Sequence, residues 1–390
     1  MRTVVLVGMR RAAIESAARM GLRPILVAET LPSTRLRPAH TIEASFDAPP
    51  EAWKTLAADL KGEGIDAVVA LTERSVVPAA HLRAALGLGG LSPEAARLCT
   101  HKGAMKRAIR TAGLPCADFV EASEGLTRDE LVERLGLPLV VKPCVGSGGR
   151  GARIAREASE VPETLEDGWM AEAFIHGTEM SAEGLGWGGQ MRAMNPTRYL
   201  AVGEASVVPA PLAAPEEQAV RDLHGAAWRA LGVERGLTHM EAFLTPEGPV
   251  FGELAARPPG GHLMRLMALA YEMDPWELAF RVECGEHVEL PQPRQAAAVQ
   301  ILHPGEGIVR VASGVETVRE LPGVTEVTLR VQPGDRVDRR EGTGQEVGHL
   351  IVTAPTAPEA EARLRAASEA LRLEITPDPG HAPLPDVGLD

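Results

Sequence analysis

The chain lacks the sequence features of several large classes of protein. Its 390 residues include four cysteines whose spacing fits neither a metal motif nor a disulfide scaffold, so we expect a reducing compartment. No apolar run approaches the roughly 20 residues of a membrane helix, and the N-terminal apolar run is too short for a signal peptide. Acidic residues outnumber basic ones by 53 to 40, and the net charge of −13 argues against nucleic-acid or anionic-membrane binding. These absences predict a soluble cytoplasmic protein, long enough for two or three domains.

Two common nucleotide-binding motifs are also missing. Gly8 follows the first apolar run, but the sequence GMRRAA lacks the GxGxxG fingerprint of dinucleotide-binding folds. The glycines after Lys142 do not form a P-loop, because the lysine precedes them and no helix pattern follows. Nicotinamide, flavin and P-loop chemistry are therefore not expected.

The first ninety or so residues alternate between strand and helix patterns. Such alternation predicts a parallel, doubly wound α/β sheet. A glycine turn followed by Ser92-Pro93-Glu94, a helix-start pattern, predicts a domain boundary near residue 91. The expected strands cover residues 3–7, 24–28 and 67–71, and the expected helices cover residues 11–20, 53–62 and 76–86.

The most informative segment is LPLVVKPCVGSGGRGARIA, residues 137–155. An apolar run ends at Lys142-Pro143, glycine-rich residues 146–151 follow, and alternating apolar residues resume. The pattern predicts a strand, a loop and a second strand. Glycines let a loop present backbone N–H groups to an anion, and Lys142 would add a compact positive charge. A plain hairpin is the alternative interpretation.

Carboxylates and further lysines accompany this loop. Lys102 begins a helical pattern that ends near Gly113, and Glu172 precedes an apolar pair. The segment THMEAFLTPEGPVFGELAARPPGG predicts a hairpin that brings Glu241 opposite Glu253. Two carboxylates on one sheet face repel unless a cation lies between them, and Mg²⁺ prefers oxygen ligands that it shares with nucleotide phosphates.

The order of these residues resembles the ATP-grasp superfamily. It is most similar to the ATP-dependent carboxylate–amine ligases, particularly the dipeptide-forming L-amino acid ligases. The resemblance implies an N-terminal doubly wound domain (residues 1–91), a two-part ATP-binding domain (92–290, with a lid at about 114–174) and a small C-terminal α/β domain (291–376). Residues 377–390, rich in proline and acid, are expected to be a disordered tail.

The resemblance also implies roles for individual residues, carried over by position. Lys102 and Lys142 would bind the phosphates of ATP, Glu241 and Glu253 would bind Mg²⁺ (or Mn²⁺), and Arg257 would lie near the transferred phosphoryl group and the substrate carboxylate. Arg257, Glu253 and Lys142 are the expected catalytic residues. The remaining expected nucleotide contacts are the loop residues Gly146, Ser147, Gly148 and Gly149, the adenine-binding segment Glu172, Ala173, Phe174 and Ile175, and the ribose-binding Glu179.

The chain departs from the family pattern at two positions. Ala173 stands where a second acid is common, which matters little if that contact is made by the backbone. Ala255 stands where many members carry an asparagine, which leaves a second metal ion dependent on Glu253 and phosphate oxygens. Candidate substrate contacts are Glu73, which follows a strand of the parallel sheet, and His239, Gly260, Gly261 and His262.

Structural roles are the alternatives for several of these residues. Lys102 and Lys106 would be solvated helix charges, Arg257 would form an ion pair with Glu241 and Glu253, and the histidines would serve packing or hydrogen bonding.

The predicted function is ATP-dependent ligation of a carboxylate to an amine through an acyl phosphate. The partners are then small-molecule carboxylate and amine substrates, with a homodimer as a possible assembly. An enzyme alternative is a carboxylase or nucleotide-biosynthesis ligase that activates bicarbonate or formate. A non-enzyme alternative is an ATP-binding regulatory protein.

Overall fold

The N-terminal region forms a parallel sheet flanked by helices, as predicted. The structure, a computed structural model, describes residues 1–31, 38, 40–342 and 344–377, so the predicted tail beyond residue 377 lies outside the described residues. The strands pair in the order β3-β2-β1-β4, all parallel. They and the helices between them are β1 (Thr3–Val7), α1 (Arg11–Arg19), β2 (Arg23–Ala28), β3 (His40–Glu43), α2 (Pro50–Asp59), β4 (Ile65–Ala70) and α3 (Val76–Ala85).

Burial on both faces explains the uninterrupted apolar run of β1, whose five residues are all buried. Helix α2 begins at Pro50, three residues before the predicted start. Proline suits the first turn of a helix because it lacks only an N–H that would be unpaired there, and Glu51 adds a favourable negative charge at that end.

Two short helices connect this sheet to the rest of the chain: α4 (Pro93–Leu98) and α5 (Lys102–Thr111). The Ser92 side chain accepts a hydrogen bond from the N–H of Ala95, which confirms the predicted helix start. Helix α5 ends two residues before Gly113, which has a positive φ of 71°. The chain can therefore reverse towards the next strand.

A separate antiparallel sheet, in the order β5-β8-β6-β7, carries the glycine loop between β6 and β7. Its elements are β5 (Phe119–Glu121), α6 (Arg128–Leu135), β6 (Leu139–Pro143), β7 (Arg153–Ala155) and β8 (Trp169–Ala173). Helix α6 packs Leu131 against Val120, Leu139 and Val141 in a small core of its own. This unit falls within the range predicted for the lid, about residues 114–174, and its role as a lid stays a prediction.

The largest sheet has eight strands within the described residues, in the order β13-β12-β9-β10-β11-β14-β18-β16. Five of these strands precede residue 256, and the other three come from the C-terminal region. The five strands and the helices near them in the chain are β9 (Thr178–Trp187), β10 (Gln190–Ala201), β11 (Ala205–Val208), α7 (Ala214–Ala230), β12 (Gly236–Thr245), β13 (Gly248–Ala255), α8 (Leu263–Tyr271) and α9 (Pro275–Glu283).

The C-terminal region extends this sheet and adds a second one, ordered β17-β15-β19. Because β14 pairs with β11, one sheet runs across the predicted boundary at residues 290–291, and the domain division stays a prediction. No helix in the described ranges is long and apolar enough to cross a membrane. The elements are β14 (Ala296–Leu302), β15 (Gly307–Ser313), α10 (Val315–Arg319), β16 (Val324–Leu329), β17 (Arg336–Val337), β18 (Gly348–Ala354), α11 (Ala357–Ala370) and β19 (Arg372–Thr376).

Candidate active site

Glu241 and Glu253 are direct partners across the β12–β13 ladder, as the hairpin pattern predicted. The register shifts immediately after Glu241, which leaves Gly252 as an extra residue on β13. A Cβ at Gly252 would lie 3.0 Å from the carbonyl oxygen of Glu241, so this position favours glycine. The bulge therefore adjoins the carboxylate pair.

Lys102 joins this pair to the glycine loop. Its Nζ lies 3.2 Å from Oε1 of Glu253 and donates a hydrogen bond of 2.7 Å to the carbonyl of Gly146. Lys102 is buried, so the interpretation as a solvated helix charge is wrong. The ammonium group of Lys102 thus lies between the carboxylate of Glu253 and the glycine loop, with little access to water. A compact positive charge in this position is suited to neutralising phosphates.

Arg257 is paired with Glu73 rather than with Glu241 or Glu253. The Nε–Oε2 distance is 2.8 Å, and Nη1 donates to the carbonyl of Pro258. Arg10 donates to the carbonyl of Pro259 at 2.5 Å. Burial and the neighbouring Arg257 lower the pKa of Arg10 to about 10. Burial raises the pKa of Glu73, although Arg257 opposes that effect. The N-terminal region thus supplies two charged residues, Arg10 and Glu73, to the site.

His239 lies behind Glu241, between two carboxylates. Its Nδ1 is 3.0 Å from Oε1 of Glu183 and its Nε2 is 3.5 Å from Oε1 of Glu241. Burial favours the neutral ring, but the two glutamates outweigh it and raise the pKa of His239 to about 9. Desolvation acts against the charge of Glu241, yet His239, Lys102 and Arg257 hold its pKa below the ordinary value.

Glu183 anchors this arrangement. It is 1% exposed and also accepts hydrogen bonds from Ser181, Asn195 and Thr197. The surroundings of His239 therefore favour the hydrogen-bonded alternative over contact with substrate. Because His239 pairs with Ala255 across the ladder, a histidine neighbours the position where many superfamily members carry asparagine.

Lys142, Glu172 and Lys106 form a buried ion triad. Lys142 Nζ lies 2.5 Å from Oε1 of Glu172, and Lys106 Nζ lies 2.8 Å from Oε2. Burial would raise the pKa of Glu172, but the two ammonium groups lower it to about 2. Lys106 is 1% exposed, so its interpretation as a solvated helix charge is also wrong.

The expected adenine and ribose contacts lie at the end of β8, in the connection that follows it and at the start of β9. The N–H groups of Ala173 and Phe174 donate to the carbonyls of Asp118 and Pro138. The adenine base would therefore have to form hydrogen bonds with other backbone groups of this segment, such as those of Ile175. Burial, and next the charge of Glu241, raise the pKa of Glu179 to about 7.

The glycine loop has a backbone that only glycine adopts readily. Gly146, Gly148, Gly149 and Gly151 all have positive φ angles. On its outer side the loop meets the C-terminal region, because a Cβ at Gly342 would lie 2.8 Å from the carbonyl of Gly148. Gly260 and Gly261 lie between Arg257 and helix α8, and His262 contacts Glu346 rather than the carboxylate pair.

The sequence patterns did not assign a role in the site to three residues: Lys106, Glu183 and Arg10. Lys106 lies one helical turn after Lys102, a spacing that places both on one face. Glu183 follows Glu179 at the four-residue spacing of one strand face. Arg10 follows β1 at the carboxyl edge of the parallel sheet, the criterion that identified Glu73.

The fold is that of the ATP-grasp enzymes, and two segments of the chain match models of known families. Residues 107–266 match the ATP-grasp domain, and residues 300–376 match the L-amino acid ligase C-terminal domain 2. The chain therefore combines an ATP-grasp domain with the C-terminal domain of L-amino acid ligases, which confirms the family predicted from the motifs.

Two relatives and one solved structure resemble the chain over most of its length. An uncharacterized protein, y4rH, of Sinorhizobium fredii is 26% identical, covering 94% of this chain and 81% of its own. The L-arginine-specific L-amino acid ligase of Bacillus subtilis is 24% identical, with 82% of each chain covered. The crystal structure of L-amino acid ligase from Bacillus licheniformis superposes with a TM-score of 0.80 at 21% identity, covering 96% of this chain and 99% of that one.

Proposed function

We propose that this chain is an ATP-dependent carboxylate–amine ligase whose carboxylate substrate is an amino acid. The observation that carries the proposal is the contact of Lys102 with both Glu253 and the carbonyl of Gly146. It brings the predicted metal ligands, the phosphate-binding lysine and the glycine loop to one place. The C-terminal domain match and the ligase relatives support the amino acid as substrate.

The chemistry follows from the poor electrophilicity of a carboxylate. In the first step a carboxylate oxygen attacks the γ-phosphorus of ATP, and the bond to ADP breaks. In the second step the amine nitrogen attacks the acyl carbon, loses a proton and expels phosphate. The carboxylate substrate provides the first nucleophile and the amine substrate the second, so the protein needs no covalent nucleophile.

The residues of the site fit ATP and a divalent cation. Lys102, Lys142 and the N–H groups of the glycine loop would hold phosphate oxygens. Glu241 and Glu253 offer the oxygen ligands that Mg²⁺ or Mn²⁺ requires, and the bound cation would neutralise charge on the transferring phosphoryl group. The contact of Lys102 with Glu253 supports a position for this carboxylate beside positive charge.

The protein's own residues then orient and protect the reaction. Arg257, held by Glu73, would face the carboxylate and the tetrahedral oxyanion. Lys106 would keep Glu172 neutralised when Lys142 turns from it towards phosphate. The glycine loop would exclude water, which protects an acyl phosphate from hydrolysis.

The test is ADP release and hydroxylamine trapping over a panel of amino acids, with bicarbonate and formate included. We expect ADP release to depend on an amino acid and the activated acid to appear as a hydroxamate. Glu253→Gln should reduce both by at least roughly 100-fold, because a cation ligand contributes several kcal/mol to the transition state. Glu247→Gln, an exposed change on the β12–β13 turn, should match wild type.

The outcomes separate the competing functions. ADP release that depends on bicarbonate or formate alone would favour the carboxylase or formate-activating alternative. ATP binding without ADP release over the whole panel would favour a regulatory protein. Rapid ADP release with an amino acid but no hydroxamate would contradict the acyl-phosphate mechanism.

A further inference from the structure

A second cluster of metal-ligand side chains lies outside the carboxylate pair. His262 stands at the start of α8, Glu346 precedes β18, and His349 is the second residue of β18. Nε2 of His262 lies 3.1 and 3.0 Å from the two Glu346 oxygens, and Nδ1 of His349 lies 3.5 Å from Oε1. One ligand atom from each residue can be chosen so that all lie within 4.8 Å of one another.

These separations suit a tetrahedral metal ion. Bonds of about 2.0–2.2 Å to nitrogen and oxygen put neighbouring ligand atoms roughly 3.3 Å apart. The His262–Glu346 and His349–Glu346 distances lie on either side of that value. The side chains of Glu346 and His349 are 9% and 10% exposed, so their polar atoms have little access to water.

The surroundings orient the histidine as metal sites do. Oε2 of Glu326 lies 3.6 Å from Nε2 of His349, which leaves Nδ1 directed towards Glu346. A carboxylate behind the outer nitrogen of a histidine is the usual support of a metal ligand. Arg265 pairs with Glu326, and Arg330 lies 2.9 Å from Oε1 of Glu346, so both carboxylates are held in place.

The backbone of His262 is strained. Its φ of 61° lies in the left-handed region, and only one other non-glycine residue in the described ranges has a positive φ. Such a conformation is uncommon for residues other than glycine and persists where surrounding contacts hold it. Here the contacts are those of the imidazole with Glu346.

We propose that His262, Glu346 and His349 bind a divalent transition metal ion of the Zn²⁺ class, with water in the open fourth position. Two imidazoles and one carboxylate favour Zn²⁺ over Mg²⁺, which prefers oxygen ligands. The ion would tie the Gly260–Gly261 segment, close to Arg257, to strand β18. The site goes beyond the proposed ligase activity and is distinct from the Glu241–Glu253 pair.

The test is titration of the metal-free, nucleotide-free full chain with Co²⁺, followed by displacement with Zn²⁺. We expect one equivalent to produce the intense visible absorption of tetrahedral Co²⁺, and Zn²⁺ to abolish it. His349→Ala and His262→Asn should lose the band; asparagine tolerates the left-handed backbone better than most residues. His81→Ala, on α3, should retain it.

Three further measurements separate this site from the active site and from misfolding. Glu253→Gln should keep the band, because the carboxylate pair offers only oxygen ligands. Glu326→Gln should keep the stoichiometry but weaken Co²⁺ binding roughly 10–100-fold. Zn²⁺ should raise the Tm of wild type and leave the Tm of His349→Ala unchanged.

The proposal is overturned if folded wild type gives no tetrahedral band, or if both histidine variants keep it. Because the wild-type titration needs no variant, poor folding of a variant leaves the proposal testable. Failure here would leave the hydroxamate assay unaffected, so it is distinguishable from failure of the proposed function.

Discussion

Arg257, two residues beyond the end of β13, contacts Glu73 of the N-terminal region at an Nε–Oε2 distance of 2.8 Å. Nη1 of Arg257 is taken by the carbonyl of Pro258, so among the described residues Nη2 is the nitrogen that a substrate oxygen would approach. Glu73 Oε1 is buried without a hydrogen-bond partner in the described structure. The ion pair therefore holds the Nε side of the Arg257 guanidinium in place and leaves Nη2 as the side that a substrate oxygen would approach.

This geometry predicts a specific defect for Arg257→Lys. Lysine keeps the charge but loses the planar fork that can bind Glu73 and a substrate oxygen together. We expect hydroxamate formation to fall roughly 100-fold, the usual effect of removing an oxyanion donor, while ATP binding changes much less. The measurements are the hydroxamate assay and the Kd of an ATP analogue.

Arg281→Lys, a partly exposed ion-pair position on α9, is the matched control and should resemble wild type. Equal losses of hydroxamate formation and ATP affinity in Arg257→Lys would instead assign Arg257 to the nucleotide site or to the framework.

Local patterns predicted the parts of the site that depend on neighbouring residues in the chain. The β12–β13 hairpin put Glu241 opposite Glu253 because both strands and the turn are local. Long-range partners were not predictable in the same way. The Lys106–Glu172 pair requires α5 to pack beside β8, and the Arg10–Pro259 contact requires two distant loops to meet. Alternation of elements predicted the parallel sheet, but no sequence pattern indicated that β14 would extend the central sheet.

The glycine loop should become ordered when nucleotide binds. Its N–H groups would gain phosphate partners, and Lys102 already anchors the carbonyl of Gly146. We expect slower hydrogen exchange in the peptide covering residues 144–152 when an ATP analogue and Mg²⁺ are added. The Gly188–Gly189 turn between β9 and β10 is an internal control that should not change. Unchanged exchange in both peptides would support the plain hairpin interpretation.

Lys106→Met should destabilise the protein through Glu172. Methionine fills the volume but leaves a buried carboxylate with one cation fewer, and breaking such a pair costs about 3 kcal/mol. The free energy of unfolding from urea titrations measures this loss. Adding Glu172→Gln should recover much of the stability, because the unpaired charge is removed.

Lys54→Met, an exposed change on α2, should cost less than about 1 kcal/mol. If Lys106→Met lost as little unfolding free energy as this control, Glu172 would not depend on Lys106 to neutralise its buried charge.

The last prediction concerns His239, whose pKa is raised from 6.5 to about 9 by Glu183 and Glu241 against the effect of burial. A raised pKa means that the folded state binds the proton more tightly. The resulting stability is fully present below pH 6.5 and is lost as the pH rises through about 9. The difference in unfolding free energy between wild type and His239→Gln should therefore be largest below pH 6.5 and shrink towards pH 9.

Urea titrations of the metal-free, nucleotide-free proteins across this pH range measure the difference. His224→Gln is the matched control, because burial lowers the pKa of His224 to about 3 and keeps the ring neutral in the folded state. The difference in unfolding free energy between His224→Gln and wild type should stay constant above pH 6.5. In that range His224 is neutral in the folded state and loses its proton in the unfolded state as well. A difference for His239→Gln that is equally constant would mean that His239 is neutral in the fold, and that Glu183 holds it only as a hydrogen-bond acceptor.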